Sequence, residues 1–103
     1  MGLNRMMMKN GNPKDVFIAY IDRTIRQFED NVLTTVGSYA FYDCSSLTSI
    51  NLPNVTTVEI NAFYGCESLK EIHFAAKNKK AIEALRDYSN KFGATNATIY
   101  FDI

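Results

Sequence analysis

The chain has 103 residues, 47% of them apolar and 21% charged, and its 11 basic side chains balance 11 acidic ones. That length holds one domain, with enough apolar content for a core that hides a little over ~60% of the unfolded surface. Zero net charge argues against nucleic acid or an anionic membrane as the main partner, and no apolar stretch reaches the ~18 residues a membrane helix needs.

Residues 1–12 read as a flexible leader: three consecutive Met precede a polar run, without the apolar core of a signal peptide. Residues 13–24 form an N-terminal cap. Asn12, Pro13 and Asp15 offer a helix start, while residues 16–21 are rich in β-branched and aromatic types and suit a strand equally well. The helix start favours a helix here. In either form the segment covers the open N-terminal end of residues 25–76.

Those residues repeat. Laid over one another, residues 33–54 and 55–76 agree at 10 of 22 positions, where unrelated sequence agrees at roughly one or two. The shared positions are mostly apolar: Val36 and Val58, Ala40 and Ala62, Phe41 and Phe63, Cys44 and Cys66, Leu47 and Leu69, Ile50 and Ile72. The cores Leu47-x-x-Ile50-x-Leu52 and Leu69-x-x-Ile72-x-Phe74 carry the L-x-x-L-x-L pattern of a leucine-rich repeat. The same 22-residue shift places Phe28 on Ile50, so residues 25–28 are a first, incomplete ladder strand. Residues 54–58 and the Ala-Phe-Tyr arcs are expected to turn the chain between strands.

Residues 77–103 form a C-terminal cap. Residues 77–90 have strong helix propensity, with an apolar stripe of Ile82, Leu85 and Tyr88 and a stop at Gly93. Residues 98–103 alternate as a half-buried strand, with Ile99 and Phe101 continuing the rows of Ile72 and Phe74 at a spacing of 27. The fold class is therefore α/β: a short leucine-rich-repeat solenoid with a parallel β ladder of about four strands and a helix-plus-strand cap. Its central core is expected to hold Phe41, Phe63, Leu47, Leu69, Ile50, Ile72, Cys44 and Cys66.

Few residues suggest chemistry. His73 is the one histidine; between apolar Ile72 and Phe74 it points away from the core, beside Glu71. A zinc site needs three or four protein ligands and no others stand at a helpful spacing, so a solvated strand residue is the better reading. Cys44 and Cys66 suit a disulfide, a metal pair or two small apolar core side chains, of which the last is favoured. The five glycines are scattered and build no phosphate loop. Lys77, Lys79 and Lys80 read as a solvated helix start. The chain is expected to be no enzyme and to need no cofactor or metal. The candidate partner-binding face is the outward row of the ladder: Gln27, Glu29, Ser49, Asn51, Glu71, His73, Tyr100 and Asp102.

The phrase Ala-Phe-x-x-Cys-x-x-Leu-x-x-Ile-x-Leu-Pro over residues 40–53 resembles the BspA-type bacterial leucine-rich repeat, and residues 20–25 and 92–100 are similar to that family as well. The chain departs from the pattern at Glu59, where the first copy has Gly37, and at Ala75, where it has Pro53. The resemblance implies a non-enzymatic module that binds another protein through the ladder face, with a glycan as the alternative partner. Similar proteins are surface adhesins or lie near prophage genes. The alternative functions it implies are a small phage-encoded inhibitor or accessory protein acting on a host enzyme, and a surface adhesin fragment. Without an export signal, a cytoplasmic or phage-associated place is favoured over a secreted one. A monomer is expected, with a homodimer through the last strand as the alternative.

Overall fold

The computed structural model describes the short strands β1 (Met7–Met8) and β2 (Phe17–Ile18) and residues 24–103. The repeat phrase folds into a parallel ladder of four strands: β3 (Gln27–Glu29), β5 (Ser49–Leu52), β7 (Glu71–Phe74) and β8 (Thr98–Phe101), in that order. The register follows the 22-residue period, with Phe28 opposite Ile50 and Ile50 opposite Ile72. The last step uses the 27-residue offset, pairing Ile72 with Ile99 and Phe74 with Phe101. The first strand lies at residues 27–29 rather than 25–28. Ile25 and Arg26 precede the ladder, and the Arg26 carbonyl accepts the N–H groups of Thr48 (2.7 Å) and Ser49 (3.4 Å).

A second sheet joins the two N-terminal strands to β4 (Thr35–Val36) and β6 (Thr57–Val58), in the order β1-β2-β4-β6. The β-branched pair Thr-Val stacks on its own copy as the ladder does, so the segment expected only to turn also pairs, Val36 against Val58. Phe17–Ile18 is strand rather than helix, with Phe17 parallel to Val36. A beta-prone run beside an open strand edge gains inter-strand hydrogen bonds that a short helix lacks. Met7–Met8, inside the stretch read as a leader, pairs antiparallel with it. The rest of the expected leader and of the helix start at Asn12 and Pro13 lies outside the described residues.

The core lies between the two sheets and the arcs that join them. All eight expected core side chains are buried, Phe41, Phe63, Leu47, Leu69, Ile50 and Ile72 fully so. The arcs stack by backbone bonds at the same period: Tyr39 N–H on Asn61 O (3.2 Å), Phe41 N–H on Ala62 O (2.8 Å) and Asp43 N–H on Tyr64 O (2.9 Å). Equivalent arc positions share a left-handed backbone, Tyr39 with Asn61 (φ 58° and 57°) and Asp43 with Gly65 (φ 62° and 85°). Gly37 and Glu59 do not, which is why Glu59 is tolerated where the first copy has glycine. The Glu59 carboxylate instead accepts the Ser38 N–H at 3.1 Å and ties one arc to the other.

The C-terminal cap differs most from expectation. The single helix expected over residues 77–90 is broken into a 3₁₀ turn (Ala76–Asn78), the five-residue helix α1 (Lys79–Glu83) and a second 3₁₀ segment (Tyr88–Gly93). Ile82 is buried, Leu85 and Tyr88 only partly. The break serves the stacking of the arcs. Phe92 is fully buried, and its carbonyl accepts the Phe63 N–H at 2.8 Å, as Ala62 does for Phe41 one repeat earlier. Lys91 takes the same left-handed conformation (φ 53°) as Tyr39 and Asn61. Asp87 holds the turn: its carboxylate accepts the Asn61 N–H at 2.8 Å, and its carbonyl accepts those of Asn90 and Phe92. The segment thus takes the place of a third arc, and satisfying the backbone of the second arc outweighs local helix propensity.

Candidate functional site

The solvent face of the ladder carries the side chains that alternate with the buried ones. Register makes two rows: Gln27, Ser49, Glu71 and Thr98, and beside them Glu29, Asn51, His73 and Tyr100. Thr98, absent from the expected face, completes the first row. The same 27-residue offset that aligns Ile72 with Ile99 would have found it. Asp102 belongs to neither row; it lies just past β8 and reaches back to His73. Gln27, Glu29, Ser49, Asn51, Glu71, His73 and Asp102 line one open groove of about 590 Å³, together with Phe28 and Ile103. Tyr100 flanks it.

His73 is held more tightly than a solvated strand residue. Its Nδ1 lies 2.8 and 3.1 Å from the two carboxylate oxygens of Asp102, and its Nε2 lies 2.9 Å from Glu71 Oε1. Ionised carboxylates only accept hydrogen bonds, so both ring nitrogens can donate to them at once only when the ring is protonated. Burial works to lower the His73 pKa, but the hydrogen bonds and charges of Asp102 and Glu71 outweigh it and leave it raised above the ordinary 6.5. The Tyr100 ring stacks on the His73 ring at 4.9 Å and 13°, an arrangement that further favours the protonated form. A ring that donates from both nitrogens has no lone pair for a metal. Among the described residues no group of three or more His, Cys, Asp or Glu is placed to hold a metal ion.

The cysteines sit inside. Cys44 and Cys66 are buried thiols not joined in a disulfide, 2% and 4% exposed. The Cys66 thiol donates to Phe41 O at 3.0 Å, and its hydrogen bonding with Cys44, together with burial, pushes its pKa up. Such a thiol is a poor nucleophile. Lys77, Lys79 and Lys80 are exposed where the helix starts, with Lys79 over the Phe101 ring at 5.9 Å. Among the described residues no helix is long and apolar enough to cross a membrane.

The outer arcs carry a feature that leaves little trace in the sequence. Tyr39, Tyr42 and Tyr64 are each about half exposed. Tyr42 and Tyr64 stack in parallel at 6.0 Å, and Tyr39 meets both edge-on, at 5.9 and 6.1 Å. The only signal for it there is an aromatic that follows the buried Phe in both copies.

A family model described as a BspA-type leucine-rich repeat region of six copies matches residues 20–92. The chain belongs to this family. BspA-type and other leucine-rich repeats are generally protein-interaction modules rather than enzymes, and the four-stranded parallel ladder with its short helix is the α/β arrangement the repeat phrase implies. No curated protein matches the chain, and no solved structure does.

Proposed function

We propose that this BspA-type chain is a non-enzymatic module that captures another protein along the ladder face. The observation that carries this reading is the register, which aligns two rows of polar side chains across four strands and leaves a groove between Gln27 and Asp102. A continuous strand face is the usual contact surface of repeat proteins. Here it is rigid, because each side chain stands on a hydrogen-bonded strand, and a rigid surface loses little entropy on binding. Glu29, Glu71 and Asp102 line the groove, with His73 as its one basic residue among the described ones, so the partner surface it complements is polar with a basic element.

The test is a triple substitution, Asn51→Ala, His73→Ala and Tyr100→Ala. Proteins retained by the immobilised wild-type chain are identified by mass spectrometry, purified and rebound to both forms. The triple variant should lose the interaction while its circular dichroism is unchanged. Undiminished binding by a folded triple variant would remove the ladder face from consideration.

A further inference from the structure

Tyr64 also borders a second cavity, of about 360 Å³, between the arc of the second repeat and the terminal segment, on a different surface from the ladder groove. Gly65 and Gly93 line it. Both have positive φ (+85° and +95°), and a β-carbon on either would strike the neighbouring backbone at about 3 Å. Bare backbone at these places lets the neighbouring turns that wall the cavity pack this closely. Besides the buried Cys66, the rest of the lining is polar and exposed, Asp43, Glu67, Thr95 and Asn96, with the Tyr64 ring beside them.

We propose that this cavity binds a neutral oligosaccharide. A pyranose ring presents an apolar C–H face, which an aromatic ring covers, and a rim of hydroxyls that each donate and accept. Tyr64 supplies the ring, 51% exposed and braced by the parallel Tyr42 and the edge of Tyr39. The carboxylates of Asp43 and Glu67 accept from hydroxyls, while Thr95 and Asn96 both donate and accept. Two carboxylates, with no Lys or Arg lining the cavity among the described residues, disfavour sulfated, phosphorylated or sialylated ligands. A lysine ammonium has donors only and would leave the donors of Thr95 and Asn96 unmatched. The brace itself is unusual: Tyr39 holds a left-handed backbone where the next repeat has Asn61, a residue better suited to it. Its hydroxyl accepts from Asn61 Nδ2 at 3.3 Å, which fixes the ring against Tyr64. Aromatic rings held in place before binding lose little freedom when a ligand arrives.

The test is titration of ¹⁵N-labelled protein with cellotetraose, maltotetraose and N-acetylchitotetraose, followed by amide shifts. A heparin tetrasaccharide and Nα-acetyl-lysine amide serve as controls. At least one neutral tetrasaccharide should saturably move the amides of Tyr64, Gly65, Thr95 and Asn96. Tyr64→Ala and Asn96→Ala should each weaken it roughly tenfold, with the other amide shifts showing an intact fold, and Tyr100→Ala on the ladder face should change nothing. The proposal is overturned if none of the three saccharides shifts these amides by roughly 10 mM. Equal or tighter binding of either control at this cavity, or affinity indifferent to both cavity variants, also overturns it.

Discussion

Phe63 and Tyr64 are chain neighbours with opposite fates, which makes them a sharp test of how the fold is held. The Phe63 side chain is fully buried, its ring 5.4 Å from that of Phe41, and its N–H is bonded to Phe92 O in the terminal segment. Phe63→Ala removes the whole ring and leaves a cavity between the stacked arcs, a change that costs about 3–5 kcal/mol. A domain of this size is stable by only about 5–15 kcal/mol in total, so the variant should lose roughly a fifth or more of its stability. At a slope of about 1.5 kcal/mol per molar urea, the unfolding midpoint should fall by about 2–3 M, read by circular dichroism at constant slope. Tyr64→Ala, at a side chain 51% exposed, should move stability by no more than about 1 kcal/mol, the worth of its ring contacts. If the two variants unfold at the same urea concentration, the arcs do not pack as described.

His73 gains its partners only in the folded chain, so its raised pKa stabilises the fold fully below the unfolded value near 6.5 and that contribution fades as pH rises through the folded value. An NMR titration of the ring should give a pKa above 6.5, and Asp102→Asn should lower it; an unchanged midpoint in that variant would refute the clamp. Gly93→Ala places a β-carbon 3.0 Å from the Tyr64 backbone at a φ of +95°, and should cost about 1–3 kcal/mol by thermal melting; a neutral result would mean that the terminal segment does not dock there. Cys44 and Cys66 should resist a thiol reagent in the native protein and react promptly in urea, since both are buried; fast labelling under native conditions would contradict their burial. The ladder ends on β8, whose open edge is short, and light scattering should report a monomer at tens of micromolar. A dimer that Tyr100→Pro returns to monomer would put the contact on that edge instead.

The sequence by itself determined the ladder and the core. A 22-residue translation brings each apolar position over its own copy, so Phe28, Ile50 and Ile72 fall in register and Phe41 and Phe63 stack without further information. The alternation around Ile72 and Phe74 likewise turned Glu71 and His73 outward. What the period could not reach, the tertiary structure decided. The terminal segment keeps no repeat phrase, yet Lys91 takes the left-handed backbone of Tyr39 and Asn61, and Asp87 and Phe92 supply the acceptors that the N–H groups of Asn61 and Phe63 need. That demand breaks a helix that residues 77–90 would favour alone. The clamp on His73 joins residues 29 apart, a spacing outside the period and set by how β8 leaves the sheet. The tyrosine cluster depends on a left-handed Tyr39 that propensity would not place there. Periodicity fixes which residues are buried because burial repeats with the coil; contacts between exposed side chains depend on where the non-repeating ends dock, and only packing settles that.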